Sequence, residues 1–264
     1  MRIQNNISAL NALNNVGKNE NKLTANIKKL SSGYKINSAA DDAAGLAISE
    51  KMRSQIRGLG KAIQNANDGV SAAETAEGAM QEVTNILQRM RELAVQATNS
   101  GTYSTTQLGD LDKEYQALKS EIGRIAESSK YNGTQISGGK FSFMVDADGE
   151  KTIAMSVADF STVGAGDITT VANAKTAIGK LDTDLQKVTS ARADIGAVVN
   201  RLDYTVNNLT TMKENITQAE SRIRDVDMSA EYVEMTKNSV LNQASVAMLS
   251  QANSTTQNVL SLIQ

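Results

Sequence analysis

The chain has 264 residues, a formal net charge of -2, 3% aromatic residues, and no Pro, Cys or His. That composition excludes zinc and haem sites built on His or Cys, Ser-His and Cys-His nucleophilic pairs, and any disulfide framework. It also lacks the basic excess expected of a nucleic-acid binder and any apolar run of about 18 residues that could insert in a membrane, and without Pro nothing forbids very long helices.

The first element spans residues 1 to about 30. Ile3, Ile7, Leu10, Leu13, Val16, Leu23, Ile27 and Leu30 recur at helical spacing among Asn and Lys. Several Asn residues and Gly17 weaken the helix, so it is expected to need a partner. The opening MRIQNNISALNALNN lacks the long apolar stretch and small-residue cleavage site of a secretory signal, so no cleaved leader is expected. Residues 30–44 then break the helix with Ser, Gly and Asn, and Asp41 or Asp42 can cap the next one.

From Met52 an apolar stripe runs through Ile56, Leu59, Ile63, Ala66, Val70, Ala73, Ala76, Met80, Val83, Leu87, Met90, Ala94 and Ala97. Steps alternating between three and four mark helices that wrap around one another. A helix over residues 43–100 would be roughly 85 Å long. Residues 99–107 read as a loop, with Thr105 or Thr106 as the next N-cap. The stripe resumes at Leu108, Leu111, Tyr115, Leu118, Ile122 and Ile125.

Residues 129–170 interrupt the helices. FSFMV, DADG and EKTIAMSV predict a β-hairpin over residues 141–157, with Asp146, Ala147, Asp148 and Gly149 in the turn and Gly149 suited to positive φ. DADGE faintly matches the start of a calcium loop, but the Glu that closes such a loop would fall on Val157, which discounts it. A further long helix is expected over residues 172–226, where the stripe returns at Ile178, Leu181, Leu185, Val188, Ile195, Leu202, Val206 and Leu209. The last stripe is Leu241, Ala244, Met248, Ala252, Thr255, Val259 and Leu262. Two weak amphipathic ends predict pairing with each other and with neighbouring molecules. The carboxylate pairs Asp41/Asp42 and Asp225/Asp227 lie at element boundaries, where capping is the expected role.

Long segments of this sequence resemble one family. LSSGYKINSAADDAAGLAISEKMRSQIRGL (residues 30–59), QRMRELAVQATN (88–99), SARADIGAVVNRLDYTVNNL (190–209) and residues 222–264 are similar to bacterial flagellin. The resemblance implies a mainly α fold: a long coiled-coil helical bundle built from both chain ends, with one small β-hairpin. It implies terminal helices at residues 1–42 and 229–264 forming an inner, channel-lining domain, and an outer-core bundle over residues 43–228 that includes the hairpin. The short middle marks a minimal form without outer variable domains.

The implied function is that of a structural subunit, not an enzyme, that self-assembles into the flagellar filament for swimming. It would be exported unfolded, without signal-peptide cleavage, and act outside the cell. The implied partners are copies of itself, the flagellar export apparatus, a secretion chaperone, the filament cap and a host innate immune receptor, Toll-like receptor 5. No nucleic acid, membrane insertion, metal or cofactor is expected. Matching positions place receptor contact at Arg89, Leu93 and Glu114. Arg89 and Leu93, four apart, are expected to share a helix face. Ile3, Ile7, Leu10, Leu241, Met248, Val259 and Leu262 form the expected polymerisation seam. The hairpin, with Asp146, Asp148 and Gly149 at its turn, is the expected seat of the switch behind filament supercoiling. A hook–filament junction protein of the same architecture is the alternative, and a coiled-coil adaptor a further one. A protease-bearing member would need a His-containing zinc motif, which this chain lacks.

Overall fold

The computed structural model describes residues 6–99 and 103–261. Five helices and four short strands follow in the order α1 (Ile7–Ser32), α2 (Ala43–Ala97), α3 (Thr105–Ser128), β1 (Lys130–Tyr131), β2 (Thr134–Gln135), β3 (Lys140–Met144), β4 (Thr152–Ser156), α4 (Val171–Arg224) and α5 (Met228–Ser261). Packing divides the chain into two compact units. One contains residues 1–54 and 215–264, the other residues 55–214. The boundaries expected at 42/43 and 228/229 therefore fall inside the first unit, and the divisions lie within α2 and α4. A long helix need not break where its packing partners change.

Each helix starts where a side chain satisfies its free N–H groups. Asp42 accepts the N–H of Gly45 at 2.8 Å and so begins α2. Asp41 has a different role: its carboxylate accepts the N–H groups of Asn37 and Ser38 and the Ser38 hydroxyl, closing the preceding loop. For α3 the cap is Ser104 rather than either Thr that follows. Ser104 and Gln107 bond reciprocally as a capping box. Asp227 accepts the N–H groups of Ser229 and Ala230 and starts α5. The boundary carboxylates Asp42 and Asp227 are thus caps.

In the unit of residues 55–214 the core follows the predicted stripe. Ala66, Ala73, Ala76, Met80, Val83, Leu87, Met90, Ala94 and Ala97 of α2 are buried, as are Leu108, Tyr115 and Ile122 of α3 and Leu181, Val188, Ile195 and Leu202 of α4. The hairpin β3–β4 pairs antiparallel from Lys140↔Ser156 to Met144↔Thr152. Its alternation turns Phe141 and Phe143 inward on β3 and Ile153 and Met155 inward on β4. The two Phe rings stack with centroids 6.3 Å apart. The turn is longer than the expected Asp146–Gly149 segment, since the pairing ends at Met144 and Thr152, but Gly149 takes φ 80° as expected.

Gly69 lets the hairpin approach α2. A Cβ there would lie 2.9 Å from the Phe143 ring and 3.2 Å from Leu202. One helical turn earlier, Asn65 donates to the Met144 carbonyl at 3.2 Å. A second, smaller hairpin, β1–β2, was not anticipated. Its turn is Asn132-Gly133, with φ of 47° and 81°, and Asn-Gly is the strongest short signal for such a turn.

In the other unit, α1 packs against α5. The pair runs antiparallel, as its cross-links show. Asn6 donates to the Ala252 carbonyl, Asn19 to the Ser245 hydroxyl and Asn238 to Asn26, while Lys29 pairs with Glu231. The end of the pair is closed by backbone bonds from Lys35 to Arg224 and from Val226 to Gly33. Arg224 is buried there, 4.8 Å above the Tyr34 ring and 2.5 Å from Glu50.

Candidate functional site

Two surfaces carry the residues singled out from the sequence. The first is the α1–α5 pair. Only a few of its side chains are buried, among them Val16, Asn26 and Asn238. Ile7, Leu10, Leu13 and Ile27 of α1 are exposed, as are Tyr232, Val233, Val240, Leu241, Val246 and Met248 of α5. Single exposed apolar residues are ordinary, but a line of them along both members of a helix pair marks an interaction surface. Tyr232, Val233, Val240 and Leu241 border one shallow, mostly apolar depression together with Thr236 and Lys237.

Of the expected seam, Ile7, Leu10, Leu241 and Met248 lie on this exposed face. Ile3 and Leu262 fall outside the described residues, and the Val259 side chain is likewise outside them although its backbone continues α5. The sequence pattern did not anticipate the part played by asparagine. Asn19 and Asn26 lower the helix propensity of α1 and Asn6 caps its start, yet each reaches across to α5. Asn19 and Asn26 stand seven apart, about two helical turns, which is the signal by which they could have been found, whereas Asn6 lies off that line. A buried polar pair such as Asn26–Asn238 fixes which residues meet, because any slip leaves the carboxamides unpaired.

The second surface lies where α2 meets α3. Arg89 donates through Nε and Nη2 to one carboxylate oxygen of Glu114, at 3.0 and 2.9 Å, and through Nη1 to Glu92 at 3.1 Å. These bonds, that to Glu114 first, raise the Arg89 guanidinium above its ordinary pKa. Two residues on, Arg91 reaches the opposite way and donates to Asp182 of α4 at 2.6 Å. Arg192 of α4 closes on Glu77 of α2. Cross-helix pairs thus line both flanks of α2 in this unit.

Leu93 does not join Arg89 at the surface. It is 1% exposed and packs in the core with Met90 and Ala94. The expectation of a shared face is corrected here. Residues four apart differ by about 40° around a helix, and α2 is covered by core on a wide enough sector that this angle separates rim from interior. Leu93 is a core residue and offers almost no surface of its own.

Beside Glu114, Tyr115 points inward and donates its hydroxyl to the Gly164 carbonyl at 3.3 Å. The segment it holds is fixed at several points. Asp184 accepts the Gly164 N–H, Asp112 accepts the Ile168 N–H, and Gln116 donates to the Gly166 carbonyl. Burial, and then the nearby carboxylates of Asp112, Asp184 and Asp167, push the Tyr115 phenol up to about 12. Among the described residues, no cluster of three or more carboxylates is placed to hold a metal ion. No helix among them is long and apolar enough to cross a membrane.

The relatives of this chain agree with these two helical ends. A family model for the bacterial flagellin N-terminal helical region matches residues 3–141, and one for the C-terminal helical region matches residues 178–263. Flagellin of Bacillus subtilis (strain 168) is 43% identical and flagellin of Halalkalibacterium halodurans 46% identical, each match covering 100% of both chains. The crystal structure of Bacillus cereus flagellin superposes with a TM-score of 0.52 at 35% identity, covering 60% of this chain and 94% of that one. A putative flagellar hook-associated protein from Vibrio parahaemolyticus reaches a TM-score of 0.61 over 70% of this chain and 100% of that one, but at 12% identity it shares the fold alone. Matched through both its helical ends and along its whole length by such relatives, the chain belongs to the bacterial flagellin family.

Proposed function

We propose that this protein is the structural subunit of a bacterial flagellar filament, polymerising with copies of itself outside the cell, and that it performs no catalysis. The observation that carries this reading is the paired α1 and α5, which leave Ile7, Leu10, Leu13, Val240, Leu241 and Met248 exposed. Such a face is unfavourable in an isolated subunit and favourable when neighbouring copies cover it. Weak end helices that gain their stability on assembly also suit a chain that is exported unfolded, delivered by a chaperone and added beneath a filament cap. The absence of Cys and Pro from the sequence is compatible with threading through an export channel.

Purified protein seeded with short filaments and viewed by negative-stain electron microscopy tests the assembly. Long filaments of uniform diameter are expected, and are lost when residues 1–30 or 241–264 are removed. A subunit that stays monomeric, with helical and protease-resistant ends, would overturn the reading.

The same protein is a ligand of a host Toll-like receptor through Arg89 and Glu114, with Leu93 buried in the core of the same helix. The support is the exposure of both charged partners on adjacent helices and the preformed geometry of their bonds. Binding of the receptor ectodomain to monomer and to filament, compared by titration, tests this. Loss of binding on Arg89→Ala with an unchanged melting curve is expected.

A further inference from the structure

We propose that Met248 is an oxidative modification site, and that its conversion to the sulfoxide stops subunits from joining the polymer; the inference rests on the filament reading above. The chain has no Cys, so its ten methionines are its only oxidisable sulfur. Those described differ widely in exposure, with Met52 and Met235 half-buried. Met80 and Met90 are fully buried and Met155 nearly so, whereas Met144, Met212, Met228 and Met248 are exposed. At 68%, Met248 is the most exposed methionine among the described residues.

Its surroundings explain that exposure. One helical turn away on either side lie Ala244 and Ala252, too short to cover the thioether. Seven residues before it is Leu241, also exposed, so Met248 continues the apolar line of α5. A sulfur in that position is open to peroxide in the free subunit and lies on the surface that a second copy must cover.

The chemistry balances with a peroxide as oxidant. The sulfur lone pair attacks one peroxide oxygen, an S–O bond forms as the O–O bond breaks, and water leaves after proton transfer. Sulfur is oxidised by two electrons and the peroxide is reduced. The product exchanges an apolar, flexible side chain for a polar one, at a place where burial would leave the sulfoxide oxygen without a donor. Reductases that act on methionine sulfoxide reverse the change. Met228 is exposed too, but it lies at the first turn of α5 beside the Asp227 cap.

The test begins with monomer treated with hydrogen peroxide and mapped by peptide mass spectrometry, followed by seeded growth. Oxidation is expected first at Met248, with elongation falling about tenfold. Met248→Leu, whatever its own basal rate, elongates equally fast before and after the same treatment, whereas Met228→Leu does not protect. Met248→Gln, a polar mimic, elongates slowly without peroxide, and reductase treatment restores the oxidised protein. The proposal is overturned if oxidised subunits elongate as fast as untreated ones, or if Met248→Leu loses growth equally. If untreated subunits fail to elongate on seeds, the filament reading itself falls and this inference falls with it.

Discussion

Replacing Tyr115 with Phe should remove an alkaline weakness from the unit of residues 55–214. The Tyr115 side chain is fully buried and its hydroxyl donates to the Gly164 carbonyl. Its phenol is pushed from an ordinary value of 10.0 up to about 12, chiefly by burial. The folded-state value is the raised one, so the stabilising contribution is whole below pH 10. Between about pH 10 and pH 12 the unfolded chain releases this proton while the folded chain retains it, and stability falls. A shift of two units corresponds to roughly 2.7 kcal/mol in full, of which about 1.4 kcal/mol is lost by pH 11. For a unit of this size that is a drop of roughly 3–6 °C in melting temperature.

The assay compares thermal melts of the natural protein and Tyr115→Phe at pH 9 and pH 11 by circular dichroism. The titration of Lys and of the other Tyr residues is common to both and cancels in the double difference. At pH 9 the Phe variant melts slightly lower, having lost one long hydrogen bond. By pH 11 the gap should narrow or reverse by the stated amount. A gap independent of pH would refute the reasoning, as would a phenolate absorbance titration in which every tyrosine of the folded protein ionises at its ordinary value.

Glycines on α2 should respond in opposite directions. Gly69→Ala would push into Phe143 and Leu202 and cost about 1–3 kcal/mol, whereas Gly78→Ala meets open space and should add up to about 1 kcal/mol by helix propensity, both read from denaturant melts. Arg89→Ala and Glu114→Ala should each weaken receptor signalling about tenfold or more in a reporter-cell assay without moving the melting temperature. Leu93→Ala should instead lose about 2–5 kcal/mol of stability, and any loss of signalling should track unfolding. Changing Asn26 and Asn238 together to Leu should preserve or raise the stability of the α1–α5 pair but loosen its register, seen as heterogeneous cross-linking between engineered cysteines at facing positions. Gly149→Val forces a branched residue to positive φ. If the hairpin is the supercoil switch, the mutant filaments change helical form under the microscope, and unchanged filaments and swimming speed would remove the hairpin from that role.

Sequence alone determined the periodic part of this protein. The three-and-four stripe of α2, α3 and α4 depends only on which residues recur on one side of a helix, and the buried set from Ala66 to Ala97 follows it. The β3–β4 hairpin was equally legible, since alternation and a turn glycine are local properties. Ile7, Leu10, Leu241 and Met248 were legible as apolar positions at helical spacing, and in the α1–α5 pair they are exposed.

Tertiary structure decided what depends on how many neighbours surround a helix and on which chain segment faces which. Leu93 went to the core while Arg89 stayed at the rim because α2 is packed on two flanks, so a rotation of about 40° is decisive there. Asn19 and Asn26 read as helix weakeners until α5 lies alongside, where Ser245 accepts the Asn19 amide and Asn238 donates to Asn26. The Arg89–Glu114, Arg91–Asp182 and Arg192–Glu77 pairs join residues far apart in the chain, and no local pattern assigns one arginine its carboxylate. Tyr115 illustrates both sides. Its place on the stripe predicted burial, but the rise of its phenol from 10.0 to about 12 joins that burial to the carboxylates of Asp112, Asp184 and Asp167, which only the fold brings around it.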